Sequence, residues 1–328
     1  MPSHPACDIT LLGSGLRALD HLTPEAIACL RGARVILHSQ YSRDLLGELR
    51  ALNSSARLLC QEDGEYLVGQ YRPQMYARIA ARVLAEAAEG PGVVALHPGS
   101  TMVVDAIARH VLAGAHARGL RVRVVPGISC IEYVLAELGW DVADGLHVIL
   151  AQQLVLQQRR LDATQAALVI QPGYYDTRWF AGAPRAAQGR FDALQACLAA
   201  SYPDDTPMAL VLAPVGRDDV AQTLWFRLGS FAQLEAEISP FHTLFIPPRA
   251  RPGVDAAFAQ RIDSWDALCE QVQLDDYGLP RQVDPRVWFA GASTGEGGGV
   301  DSRLRAESER LAAAWPTRRA MLASDAPP

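Results

Sequence analysis

The sequence predicts an α/β protein of two lobes, a parallel-sheet N-terminal lobe and a mixed-sheet C-terminal lobe, followed by a C-terminal arm. Three observations carry that reading. Up to about residue 138, short β-rich runs alternate with longer helical ones, the pattern of a parallel sheet with crossover helices. Beyond Gly139 the strands are separated largely by loops, which points to mixed or antiparallel pairing. After Ile246-Pro247-Pro248 the compact core is expected to end. The expected boundaries are therefore 1–138, 139–250 and 251–328, and 328 residues at 49% hydrophobic content suffice for such a core.

In the first lobe, Asp8–Leu12 reads as a strand, followed by a helix with Thr23 as N-cap, Pro24 as first residue and Gly32 as stop. Ala33–His38 is the next strand, Arg43–Leu52 a helix and Ala56–Cys60 the third strand. A helix from about Pro73 to Glu89 carries Ile79, Val83 and Leu84 at helical spacing. Strand Gly92–Leu96 then ends in the loop His97-Pro98-Gly99-Ser100. A long helix to about Arg118 precedes strand Arg121–Val125, the loop Pro126-Gly127-Ile128-Ser129 and a helix over Cys130–Leu138. The second lobe should hold strands His147–Ala151, Ala167–Gln171, Met208–Ala213, Thr223–Leu228 and Thr243–Ile246, with helices near Phe191–Ala200 and Phe231–Glu237. The arm should hold a helix near Val254–Val272, a Gly-rich turn at Gly295–Gly299 and a charged helix near Asp301–Ala314.

Composition narrows the function. A net charge of -6 gives no basic footprint, which argues against nucleic acid and anionic membranes as partners. The chain has no Lys, so Schiff-base and Lys-general-base mechanisms are excluded and any cationic helper is Arg or His. The six cysteines are scattered without a CxxC pair, so neither a zinc site nor a disulfide framework is signalled and a reducing cytoplasm fits. No apolar run approaches the ~18 residues that would span a bilayer, and the first residues lack the features of a signal peptide. His110 and His116 lie on an expected surface helix with no paired ligand, and no metal is expected.

One segment gathers groups that handle protons: Glu65-Tyr66-Leu67-Val68-Gly69-Gln70-Tyr71-Arg72-Pro73-Gln74-Met75-Tyr76. Arg72 and Tyr76 are four residues apart at a helix start, so both can face one side of the first turn, and Tyr66 approaches from the loop across Gly69. Three glycine-containing loops, Gly13-Ser14-Gly15, His97-Pro98-Gly99-Ser100 and Pro126-Gly127-Ile128-Ser129, follow three strands, and in an open α/β sheet such ends line the ligand crevice. Glycines allow close backbone approach, while Ser100, Thr101 and Ser129 can bond a carboxylate or a ribose. The first loop also fits G-x-G-x-x-A. A dinucleotide fold, however, opens that loop directly into its helix, and here the helix signals come only at Thr23-Pro24.

The order of these motifs resembles the tetrapyrrole methylase superfamily of S-adenosylmethionine-dependent methyltransferases over about residues 8–250. The carriers are Ile9–Gly15 with Leu22-Thr23-Pro24-Glu25-Ala26, Val94–Gly99, Val125–Ser129 and Thr243–Pro248. Within it, the Tyr66, Arg72, Tyr76 spacing, His97-Pro98-Gly99 and Leu244–Pro248 resemble the borosin peptide-backbone α-N-methyltransferases. The resemblance implies S-adenosyl-L-methionine as cofactor, held between the lobes near Gly13, Gly15, His97, Pro98, Gly99, Ser100, Met102, Ser129, Gln171, Ala213 and Pro214. It implies catalytic roles for Tyr66, Arg72 and Tyr76, and a homodimer. Porphyrin-type members carry Gly-Asp-Pro where this chain has His97-Pro98-Gly99, a departure that disfavours a corrinoid substrate.

Chemistry points the same way. An amide nitrogen is scarcely nucleophilic because its lone pair is delocalised into the carbonyl, so its methylation requires loosening its proton. A phenol whose pKa is lowered by a guanidinium could serve as base while the Arg or the second phenol holds the developing oxyanion. Tyr66 and Tyr76 take these roles in either order. Residues 320–328 lack the Val/Ile/Gly-rich character expected of a fused substrate peptide, so a separate precursor peptide is expected, and Trp288–Asp301 reads as a connector. Methylation of a tetrapyrrole or other small molecule is the alternative, and a noncatalytic binding module the third reading.

Overall fold

The computed structural model describes residues 7–39, 45–180, 189–214, 219–235, 237–250 and 252–269. The chain divides into two compact units, Met1–Arg251 and Pro252–Pro328. In the first unit, strands β1 (Ile9–Gly13), β2 (Val35–His38), β3 (Arg57–Cys60), β4 (Val93–His97) and β5 (Val122–Val125) form one sheet, ordered β3-β2-β4-β1-β5 and parallel throughout. Its central strands are near-continuous apolar runs because both faces are covered. Ile9, Leu11, Val35, Leu37, Val93 and Ala95 pack with helices α3 (Arg72–Ala88) and α4 (Ala106–His116). Leu12, Ile36, Val94 and Leu96 pack with α1 (Pro24–Arg31) and α2 (Leu45–Leu52) on the other face.

That division fixes where a ligand belongs. β1 and β4 are neighbours, yet the helices that follow them cover opposite faces, so the chain leaves their carboxyl ends toward opposite sides of the sheet, the switch point at which open α/β sheets bind ligands. The first of these helices starts at Thr23, whose hydroxyl accepts from the Ala26 N–H at 3.1 Å, and a 3-10 turn at Ala18–His21 separates it from the glycines. The loop after β1 therefore does not run straight into a helix, as the dinucleotide pattern would require.

The second sheet, ordered β6-β7-β10-β8-β9, comprises β6 (Leu146–Leu150), β7 (Ala166–Ile170), β8 (Pro207–Leu212), β9 (Gln222–Arg227) and β10 (His242–Ile246). Only β6 and β7 pair in parallel. One face packs on helices α6 (Ala151–Leu156) and α7 (Asp192–Ala199). The other packs on α5 (Cys130–Leu138), through Val134, Ile131 and Leu135. Helix α5 thus precedes the expected lobe boundary at 138 but covers the second sheet.

Two second-lobe elements differ from expectation. The strand expected over His147–Ala151 ends at Leu150 and the chain turns at once into α6, whose six residues Ala-Gln-Gln-Leu-Val-Leu are good helix formers but too few to display a helical period. The helix expected near Phe231–Glu237 is a 3-10 run over Leu228–Leu234. In the second unit, α8 (Ala256–Cys269) begins where the Asp255 carboxylate accepts from the Ala257 and Phe258 N–H groups, each at 3.0 Å. The Gly295–Gly299 turn, the connector Trp288–Asp301 and the helix near Asp301–Ala314 lie outside the described residues. Among the described residues no helix is long and apolar enough to cross a membrane, Cys7, Cys29, Cys60, Cys130 and Cys197 are thiols outside any disulfide, and no cluster suits a metal ion.

Candidate active site

The glycine loops meet at the β1/β4 rim. Gly13 is in register with His97, and Gly15 and Gly99 exchange backbone hydrogen bonds of 3.0 and 2.9 Å. A Cβ on Gly13 would stand 2.6 Å from the Gly127 nitrogen, and one on Gly127 would stand 2.6 Å from the Gly13 carbonyl oxygen. No side chain fits between backbones that close, so these positions require glycine. Gly15 and Gly99, at φ 71° and 68°, also adopt the left-handed backbone that glycine favours.

The polar atoms of the rim have separate duties. His97 is buried, and its Nδ1 faces the Asp105 carboxylate, which also N-caps α4 by accepting from the Ala108 N–H at 2.8 Å. That partner places a proton on Nδ1, and Nε2 is buried with no partner. Thr101 Oγ1 is likewise buried and unpartnered. Buried orphan groups are uncommon in folded proteins and suit a polar ligand. The Ser129 hydroxyl is bound into a capping box with Glu132 at the start of α5. Ser100 is buried beside Pro98 and Gly99, and Met102 is 48% exposed.

From the second lobe, Gln171 follows β7 and Ala213-Pro214 follow β8. Both strands run antiparallel to β10 between them, so these residues share one rim, flanking the start of β10. Gln171 has φ 55°, a left-handed conformation uncommon for a non-glycine residue that turns the chain sharply into the 3-10 turn Pro172–Tyr174.

Tyr66, Arg72 and Tyr76 come together. Arg72 is the first residue of α3 and Pro73 the second, one position later than expected. The loop before it is clamped by two arginines of α3. Arg82 donates to the carbonyls of Cys60, Gln61 and Asp63 at 3.2, 3.1 and 2.8 Å, and Arg78 pairs with Glu65 at 2.7 Å and reaches Gln70 at 2.6 Å. Tyr66, at φ 53°, donates its N–H to Met75 Sδ at 3.1 Å. Its ring lies 6.5 Å from that of Tyr76 and edge-on to Phe180 at 5.4 Å. Tyr71 instead lies against Trp179, at 5.2 Å.

The electrostatics revise one expectation. Burial pushes the Tyr76 phenol above the ordinary tyrosine value; the Arg72 charge and its hydrogen bond pull it down and Asp105 pushes it up, with burial the largest influence. Tyr76 therefore keeps its proton at neutral pH and is a donor, whereas the sequence had suggested a guanidinium-lowered phenol. Arg72 Nη2 donates to the Thr177 carbonyl and to that of Tyr174 at 3.4 Å, while its Nε is buried without a partner.

Tyr174 and Thr177, both from the second lobe, were not singled out from sequence; the only hint was an aromatic pair after the strand-ending Gln171-Pro172-Gly173. Beside the cluster opens a groove of about 620 Å³ walled by Glu65, Gln70, Tyr71, Gln74, Arg78 and Trp179. Trp179 lines this groove, while the Trp140 ring is tilted against Phe245 and the Trp225 ring meets Phe245 edge-on in the second lobe.

The chain thus joins two α/β lobes, a rim of glycine loops at the switch point of the first sheet, and a cluster of two phenols and a guanidinium. Residues 8–225 match the family described as Tetrapyrrole (Corrin/Porphyrin) Methylases. The chain belongs to that family, a class of S-adenosylmethionine-dependent methyltransferases. It is 29% identical over 168 residues to the methyltransferase/ribosomally synthesized type II borosin cyclic peptide precursor pgiMA1 of Phlebiopsis gigantea, covering 50% of this chain and 30% of that protein. It is 22% identical over 259 residues to the type I borosin precursor mroMa1 of Mycena rosella, covering 77% of this chain and 63% of that one. The chain thus spans between 30% and 63% of the length of these relatives. Among solved structures, uroporphyrin-III-C-methyltransferase from Thermus thermophilus superposes with a TM-score of 0.51 at 20% identity, over 73% of this chain and 91% of that one. The methyltransferase CobJ gives 0.52 at 16%, over 75% and 96%. At these identities the structural likeness is one of fold.

Proposed function

We propose that the chain methylates backbone amide nitrogens of a peptide carried on a separate chain. The observation that carries this reading is the buried, unpartnered Nε–H of Arg72 beside two phenols. Leaving a buried donor unpaired costs about 1–3 kcal/mol, so a site that keeps one has a use for it. An amide losing its proton develops negative charge on its oxygen, and a fixed guanidinium N–H with a protonated Tyr76 is suited to meet that charge. Tyr66, on the loop side, is then the phenol placed to take up the amide proton. The borosin names of the relatives support a peptide acceptor.

For the cofactor, the buried, unpartnered His97 Nε2 and Thr101 hydroxyl on the glycine rim fit a polar, zwitterionic nucleoside; Gln171, Ala213 and Pro214 would close it from the second lobe. Bound there, S-adenosylmethionine supplies an electrophilic methyl group on a positively charged sulfur. The chain's residues orient the amide, take its proton and shield the site from water.

Coexpression with an apolar peptide encoded beside this chain, followed by mass spectrometry, tests the reading. Mass gains of whole methyl increments on the peptide backbone are expected, and their loss in Arg72→Ala. Methylated corrinoid beside an unmodified peptide would overturn the proposal. Methyl groups on this chain's own residues would overturn the separate-chain part alone.

A further inference from the structure

We propose that Tyr174, contributed by the second lobe, is a positioning residue that sets the plane of the Arg72 guanidinium. The inference rests on the role given to Arg72 above. Arg72 Cζ stands 4.6 Å from the centroid of the Tyr174 ring, within cation–π range, so an aromatic face backs the guanidinium while the Thr177 and Tyr174 carbonyls take hydrogen bonds from Nη2. A flat face and two acceptors on one nitrogen fix a planar cation in position and rotation. Nε, which neither engages, is left as the unpaired donor.

The platform under Arg72 is itself stiff. Gln152 Nε2, from α6, donates to the carbonyls of Tyr175 and Thr177, each at 3.2 Å. Arg190, also in the second lobe, pairs with Asp176 at 3.0 Å and donates to the Gly173 carbonyl, and the Tyr175 hydroxyl donates to the Arg190 carbonyl. At Gly173 a Cβ would stand 2.6 Å from the Pro240 nitrogen, so the turn is pressed against the segment before β10. Burial raises the Tyr174 phenol, with Arg72 opposing, so the ring stays neutral and its face electron-rich. The contact uses the ring, which separates this role from that of a hydroxyl donor.

The test compares Tyr174→Phe, which keeps the face, with Tyr174→Leu, which removes it. The first readout is hydrogen exchange of the Arg72 Nε–H by nitrogen NMR, which reports how firmly the side chain is held without any turnover. Tyr174→Leu should exchange about 2- to 30-fold faster, the range of a cation–π contact of about 0.5–2 kcal/mol, and Tyr174→Phe at the native rate. In the methylation assay kcat should fall by a similar factor in Tyr174→Leu with KM for S-adenosylmethionine unchanged, and Tyr174→Phe should restore it. Native exchange in Tyr174→Leu, or equal exchange in both variants, overturns the inference. If Tyr174→Leu does not fold, Tyr174→Met carries the same expectation. Retained methylation in Arg72→Ala would sink the proposed function while the exchange measurement still decides the positioning; inactive Arg72→Ala with native exchange in Tyr174→Leu sinks the positioning alone.

Discussion

On the β1/β4 rim, Gly13, Gly15, Gly99 and Gly127 meet through main-chain atoms of one lobe, whereas Tyr66, Arg72, Tyr76 and Tyr174 meet through side chains of two lobes. The first region is specified by the absence of side chains, the second by their identity. A rim built of backbone should fail when anything is added to it, and it should fail in stability and cofactor affinity together. A side-chain cluster should fail when anything is subtracted, and it should fail in turnover.

The largest effect expected on the cluster side is that of Arg72→Ala. Losing a preorganised donor to a developing oxyanion costs about 10²–10³ in turnover, and S-adenosylmethionine affinity by calorimetry should stay near native. Affinity falling in parallel would erase the distinction between the two regions. Next comes Gly127→Ala, where the added carbon meets the backbone of Gly13 and must displace it. Overpacking of this kind costs about 1–3 kcal/mol, so a lowered melting temperature and weakened cofactor binding should appear together. A native melt with native affinity would show that the rim is softer than its contacts imply.

Asp105→Ala sits between the regions, because Asp105 caps α4, holds His97 and raises the Tyr76 phenol. Loss of the cap alone costs about 1 kcal/mol by denaturant unfolding, and the freed His97 should weaken cofactor binding besides. The smallest effect is in pH dependence. Tyr76 and Tyr174 have folded pKa values raised above 10.0, chiefly by burial. Their contribution is complete below that value and is lost as pH climbs through the raised folded values, because the unfolded chain ionises first. Unfolding measured from neutral pH to above 10 should show this decline, and Tyr76→Phe should flatten it.

Most of the framework was legible in the sequence. Strands β1, β4, β5 and β10 announced themselves by apolar runs that end in or abut Gly or Pro, and α1 by Thr23 at its cap. What escaped was short or distant. Helix α6 occupies fewer residues than a period needs to declare itself. Tyr66 turns toward Tyr76 through a positive φ that no neighbouring glycine advertises, and the arginine clamp from Arg78 and Arg82 joins positions whose pairing only folding reveals. Tyr174 lies 102 residues from Arg72, beyond any local pattern. For Tyr76 the raised phenol escaped for a related reason: sequence shows the neighbouring charge but not the burial that outweighs it.

The stretch from Gly69 to Arg72 is joined to the stretch from Arg178 to Phe180 by main-chain hydrogen bonds of 2.8, 2.8 and 2.9 Å, with Tyr71 and Trp179 bridged. A seam made of peptide groups is indifferent to most side chains, proline excepted, since only proline lacks the donor. Gln70, Tyr71 and Trp179, whose side chains wall the groove, are therefore positions where shape and polarity can be exchanged while the two lobes stay stitched. A combinatorial library at those three sites would vary the shape and polarity of the groove and leave the scaffold in place.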